Sequence, residues 1–486
     1  MDNNRHKIKF FSGEDVPMEM HRARMVQRIN LLPIEERLNA INGAGYNTFL
    51  LANREVFLDM LTDSGVNAMS EVQYAAMMMA DDSYAGSETF FRLSTVLGNI
   101  FGTKHFLPAH QGRACENIIA NTFIRPGNFT IMNYHFTTTK AHILRLGGSI
   151  IEVVRDEAFV VESDCSFKGN FDMEKLEMAV RDVGVSNIAF VRIEAGTNLI
   201  GGQPVSLSNM IEVSNFCKER RIPVIFDASL LADNLFFIKT MEADYADWPV
   251  IDIVRKIASL MDVIYFSGRK LGCARGGGIV TSNDEFFKRM RTLVPLYEGF
   301  LTYGGMSVRE MEAMAVGIQE TLDMHVIGQT PLFVEALGKL LSEKSVPTVR
   351  PFGGLGCHID ASSFVGDIPQ EQYPAGALAV AIYLVGGIRG MERGTLSEER
   401  NSDGSEHFSN MELVRLAIPK RVFTLSHMKF VADRVGWLYA NRDLIGGLKF
   451  EEEPDTLRFF LGKLRPIGDW PRRLVNKFIS AMPSEM

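Results

Sequence analysis

From about Asn67 to Leu301 short apolar runs alternate with amphipathic segments, and this alternation limits the chain to few architectures. The runs are HFLPA at 105–109, NFTIMNY at 128–134, SIIEVV at 149–154, NIAFVRI at 187–193, IPVIFDA at 222–228, VIYFSG at 263–268 and GGIVTS at 277–282. Between them, Met173 to Val183 and Leu207 to Arg220 carry Leu, Met, Val and Ile at helical spacing. Strand and helix alternating over this length predict an α/β fold with a mostly parallel sheet wrapped by helices. Ligands of such sheets sit at the carboxyl ends of the strands. A chain of 486 residues also exceeds one ordinary core, so two or three units are expected. A long helical pattern follows at Val308 to Met324, and a charged helix is expected at Trp470 to Ala481. The segment LSEERNSDGSEHF at 396–408 reads as an exposed loop.

Composition matters mainly by what it excludes. A net charge of −8 offers no basic footprint for nucleic acid, so a small-molecule partner is favoured. The N-terminal segment lacks the apolar core of a signal peptide, and no run of about 18 apolar residues is present to span a membrane. A cytoplasmic protein is the expectation. The five cysteines, Cys115, Cys165, Cys217, Cys273 and Cys357, lack paired zinc-site spacing and read as reduced thiols, and no metal centre is expected.

Two residues at strand ends carry chemistry. VIYFSG delivers Lys270 into a glycine-rich segment, and IPVIFDA ends on Asp227. Taken alone, Lys270 reads as a surface lysine and Asp227 as a helix cap. Read together, a lysine against apolar walls can attack a carbonyl, and a carboxylate at a core-strand end needs a cation or donor. That pairing suits pyridoxal phosphate, whose aldehyde takes the amine and whose ring nitrogen takes the carboxylate. The phosphate needs a cradle, and Gln111, Gly112 and Arg113 stand where a strand gives way to a helix. Ser267 and Arg269 offer a second hydroxyl and cation, and Phe136 a ring to stack on the pyridine.

Eleven ordered stretches between about Asn42 and Leu464 resemble the β-eliminating lyases, the pyridoxal phosphate family of tyrosine phenol-lyases and tryptophanases. They are LTDSGVNAMS, MMMADDSYAGSETF, HQGRACEN, HFTTTKAH, TNLIGGQPVS, FDASLLADNLFFIK, FSGRK, YEGFLTYGG, RGMERG, VRLAIPKRVFTLSHM and LRFF. The resemblance implies pyridoxal phosphate fold type I, with a large domain built on a mostly parallel seven-stranded sheet and a smaller α/β domain. The corresponding division is an N-terminal arm and part of the small domain at 1–61, the cofactor-binding domain at 62–325 and the C-terminal small domain at 326–486. It also implies a homotetramer with active sites at a dimer interface.

By the same resemblance Lys270 is the Schiff-base lysine, Asp227 the pyridinium partner, and Gln111, Gly112, Arg113 and Ser267 hold phosphate. Phe136 stacks on the ring. Asn198 lies near the cofactor's phenolic oxygen and the substrate carboxylate, which Arg415 grips with help from Thr62 and Ser64. Tyr84 is the general acid toward the leaving group. Arg393, Thr137, Phe459 and the adjoining Phe460 fall at substrate positions, and the first three favour a phenolic or polar leaving group over indole. The expected activity is β-elimination on an aromatic or other β-substituted amino acid, giving pyruvate and ammonia.

Departures from the pattern keep alternatives open. Leu230 stands where the family carries an arginine, and Leu271 and Leu355 replace polar residues. A biosynthetic relative acting by β-replacement or elimination on a modified amino acid is one alternative; a fold type I aminotransferase is another. The family's monovalent cation is expected to be replaced by an ion pair between Asp82 and Arg275.

Overall fold

The computed structural model describes residues 10–401 and 403–482. Its larger sheet has seven strands: β1 (His105–Ala109), β2 (Phe129–Met132), β3 (Ser149–Glu152), β4 (Ile188–Glu194), β5 (Val224–Asp227), β6 (Val263–Ser267) and β7 (Gly277–Thr281). They lie in the order β1-β7-β6-β5-β4-β2-β3. All pairs are parallel except those made by β7, which runs against both β1 and β6. Each strand falls within a residue or two of the sequence expectation. The reason is burial on both faces: β5 and β6 are buried at every position, as strands covered by helices on each side must be.

Alternation divides the sheet between two cores. Val191, Ile193, Phe226 and Ile264 point into one, with Leu207, Met210 and Val213 from the helix Leu207–Arg220. Phe190, Ile225, Val263 and Tyr265 point into the other, against Ala114, Cys115, Ile118 and Ile119 of helix α1 (Gly112–Phe123). Helices Met173–Val183 and Leu207–Arg220 form where expected, with Asp172 and Ser206 accepting first-turn N–H groups.

A further core joins Ile34–Leu61 to residues between Phe333 and Phe478. At its centre the helix Pro374–Gly386 is buried along its whole length. A three-stranded antiparallel sheet, in the order β9-β10-β8, belongs to this part: β8 (Gly356–Asp360), β9 (Met391–Arg393) and β10 (Leu413–Ala417). The loop after β4 joins it to the larger sheet, because Gln203 Nε2 donates to Pro351 O at 2.9 Å and Gly354 N to Gly202 O at 2.9 Å. Among the described residues no helix is long and apolar enough to cross a membrane.

The expectation of an exposed loop at 396–408 is corrected in part. Leu396, Ser397 and Glu398 are buried, whereas Arg400 and residues beyond it are largely exposed; Ser402 lies outside the described residues. Charge did not keep this stretch in solvent because it is paired: Glu398 meets Lys140 at 2.8 Å and His135 Nε2 at 3.4 Å. His135 Nδ1 also meets Glu152 at 2.5 Å.

Two outcomes follow. Gly202 has φ +66°, and a Cβ there would run into the Gly354 carbonyl, so Gly202→Ala costs more than about 1 kcal/mol and lowers the melting temperature. For His135, burial disfavours the charged ring, but the hydrogen bonds it donates to Glu152 and Glu398 outweigh this and raise the pKa above 6.5. Its contribution is complete below pH 6.5 and is lost as pH rises through the folded-state value. The melting-temperature advantage of the parent over His135→Gln shrinks as pH is raised above 6.5.

Candidate active site

At the carboxyl ends of β4, β5 and β6 the register sets Glu194, Asp227 and Tyr265 in one row. Asp227 is 6% exposed. Its Oδ2 accepts from Arg192 Nη2 at 2.7 Å and from the Tyr265 hydroxyl at 2.9 Å, and Oδ1 accepts from Ser229 N at 2.9 Å. Strand β6 runs into the short helix Gly268–Leu271, which carries Arg269 and Lys270. Lys270 Nζ lies 3.7 Å from Asp63 Oδ1 and 5.7 Å from the centre of the Phe136 ring. Phe136 immediately precedes helix α2 (Thr137–Arg145).

The phosphate candidates also converge. Gln111 caps the start of α1, where first-turn N–H groups have no intrahelical acceptor. A Cβ on Gly112 would stand 3.0 Å from Ser267 Cβ, so glycine lets this helix end approach β6 without displacing it. Burial lowers the Arg269 pKa, and the Arg275 and Arg113 guanidiniums lower it further. Arg113 in the first turn of a helix, with Arg269 and the Ser267 hydroxyl, fits a dianionic phosphate, and a lysine, an aromatic ring and a buried carboxylate fit the rest of pyridoxal phosphate.

The residues expected to meet the substrate lie on and around the small sheet. Arg393 and Arg415 share one face of it, because Met391 pairs with Arg415 and lies two residues before Arg393. Arg415 Nη1 donates to Asn198 Oδ1 at 2.7 Å and Nη2 to Leu61 O at 2.7 Å, while Nε has no hydrogen-bond partner among the described residues. Burial brings the Arg415 pKa down to about 10. In the adjoining segment Thr62 Oγ1 accepts from Ser64 N at 3.0 Å. Arg393 is buried, and among the described residues its Nε and Nη1 have no hydrogen-bond partner, nor has Thr137 Oγ1. Burial, then Arg415, lowers the Arg393 pKa. Its guanidinium lies 6.0 Å from the ring centres of both Phe136 and Phe459, and Arg113 lies 5.7 Å from Phe460. Buried donors without acceptors are costly, and here they invite a polar ligand.

Tyr84 is not gathered into this cluster. It is 71% exposed and stacks on Phe300 with ring centres 5.6 Å apart. Nor does the expected pair of Asp82 and Arg275 form within the chain: both residues are exposed, and no ion pair joins them among the described residues. The Arg275 N–H donates instead to Glu310 at 2.8 Å. Sequence reasoning missed Asp63, Arg192, Glu194 and Tyr265. The signal for Arg192 was a charge inside the run NIAFVRI, an expensive placement in a buried strand.

Comparison with known proteins gives this geometry a lineage. The family model described as "Beta-eliminating lyase" matches residues 59–434. The tyrosine phenol-lyase of Pasteurella multocida (strain Pm70) is 42% identical over 452 residues, covering 93% of this chain and 99% of that protein. That of Nostoc punctiforme is 41% identical over 448 residues, covering 91% and 95%. Among solved structures, Leishmania major threonine aldolase matches with a TM-score of 0.56 at 15% identity, over 79% of this chain and 99% of that one. Serine palmitoyltransferase from S. paucimobilis with a bound pyridoxal phosphate adduct matches with a TM-score of 0.54 at 11% identity, over 80% and 89%. These distant likenesses establish the fold, pyridoxal phosphate fold type I. With close relatives aligned along nearly their whole length, the chain belongs to the β-eliminating lyase family.

Proposed function

We propose that this chain is a pyridoxal phosphate-dependent carbon–carbon lyase that eliminates a phenolic group from tyrosine or a close analogue, giving pyruvate and ammonia. The observation that carries the reading is Arg393, a buried guanidinium with two unpartnered nitrogens between Phe136 and Phe459. An aromatic leaving group with an oxygen on its ring matches both the aromatic walls and the missing acceptor. Neither an aminotransferase nor a biosynthetic β-replacement enzyme is favoured by the family match or the close relatives.

Bound at this site, pyridoxal phosphate supplies an electron sink for charge developing at the amino acid's α-carbon. Gln111, Gly112, Arg113, Ser267 and Arg269 would hold its phosphate, Asp227 its ring nitrogen and Lys270 its aldehyde carbon. Arg415, assisted by Asn198, Thr62 and Ser64, orients the substrate carboxylate through a fork of donors. Lys270 Nζ then takes the α-proton. Arg393 and Thr137 bind the phenolic oxygen, Phe459 and Phe460 wall the ring, and Tyr84 gives a proton to the departing ring carbon.

Tyr84 is exposed in the single chain, so the proposal assigns it to the site of a neighbouring subunit within a homotetramer. Any replacement of a monovalent cation by Asp82 and Arg275 likewise belongs between subunits. The core of Ile34–Leu61 with Phe333–Phe478 is proposed as the small domain, formed by 1–61 and 326–486, against the cofactor domain 62–325.

The test is pyruvate release from L-tyrosine by protein reconstituted with pyridoxal phosphate. Lys270→Ala lowers kcat by about 10²–10⁴-fold, the range for removing a general base. Arg393→Leu lowers kcat/KM for tyrosine by about 10²-fold or more and spares S-alkyl cysteines, whose leaving group needs no buried donor. Loss of both substrates alike would argue against the role given to Arg393.

A further inference from the structure

Arg192 lies two residues before Glu194 on β4, so its side chain emerges on the face that carries the row Glu194, Asp227 and Tyr265. It is 1% exposed. Its guanidinium divides its donors among three groups: Nη2 to Asp227 at 2.7 Å, Nη1 to Glu194 Oε2 at 3.0 Å, and Nε to the Tyr265 hydroxyl at 2.9 Å. The Tyr265 hydroxyl donates its own hydrogen bond to Asp227, closing a ring of hydrogen bonds. Glu194 Oε1 in turn accepts from Asn198 N at 3.3 Å. The turn after β5 brings no countercharge, because Leu230 is buried there and packs against Gly196. Lys270 is engaged with Asp63, and Arg415 with Asn198 and Leu61.

We propose that Arg192 is the positioning residue of the ring-nitrogen site: it sets a permanent cation against Asp227, holds that carboxylate in one orientation, and through Glu194 ties it to the loop that carries Asn198. This rests on the reading of Asp227 as the partner of the cofactor's ring nitrogen. Two carboxylates share one cation, so they compete. Burial pushes Glu194 up to about 7 against the pull of Arg192. Removing the negative charge of Glu194 releases the guanidinium to Asp227; removing the guanidinium leaves Asp227 without its cation.

The experiment is a pH titration of the visible absorbance of the reconstituted protein, with pyridoxal phosphate affinity measured alongside. The parent is compared with Arg192→Lys, Arg192→Leu and Glu194→Gln. Arg192→Leu is expected to move the midpoint by about one pH unit or more and to weaken cofactor binding by about 10-fold or more, as loss of an adjacent opposite charge does. Arg192→Lys falls between it and the parent, and Glu194→Gln moves the midpoint in the opposite direction. If Arg192→Leu does not fold, the other two variants decide. Unchanged midpoints and affinities, with only melting temperatures altered, overturn the inference and leave Arg192 a packing element. A parent with no visible band overturns the cofactor reading first, and the inference with it.

Discussion

Asp227 is a carboxylate at the end of a strand with no solvent to stabilise it, and much of the site follows from how that charge is met. An isolated ionised carboxylate in such surroundings costs several kcal/mol or more unless it is paired and hydrogen-bonded. Here one guanidinium, one phenol and one backbone N–H meet it. The parallel sheet makes this possible, because neighbouring strands end together and bring residues distant in sequence into one row. The same geometry sets Lys270 one short helix beyond β6 and the start of α1 against Ser267.

The two halves of the site divide the work between different kinds of support. The large sheet contributes the groups proposed to hold a cofactor: a helix N-terminus, a lysine, an aromatic ring and a carboxylate. The small sheet contributes two arginines on one face, which suit the carboxylate and the ring oxygen of an amino-acid substrate. Asn198 stands where they meet, bonded to Arg415 through its side chain and to Glu194 through its backbone. The proposed substrate and cofactor halves are therefore joined by a short chain of hydrogen bonds.

Much of this was legible in the chain. The seven strands announced themselves because doubly buried strands are written as apolar runs, and Lys270 and Asp227 stood out by interrupting them. Arg192 and Glu194 interrupt a run in the same way, yet their partners lie on other strands and only register brings them together. The burial of Leu396 to Glu398 was hidden for a related reason: the charge of Glu398 is met by His135 and Lys140, far away in sequence. Tyr84 shows the converse, since its motif was clear while its place depends on what covers an exposed surface.

A crystal structure of the protein grown with pyridoxal phosphate would test the assembled site most directly. The expected result is electron density continuous from Lys270 Nζ to the aldehyde carbon, with Asp227 hydrogen-bonded to the ring nitrogen and the phosphate at Gly112, Arg113 and Ser267. A cofactor joined to no lysine, or lying with its ring nitrogen away from Asp227, would contradict it.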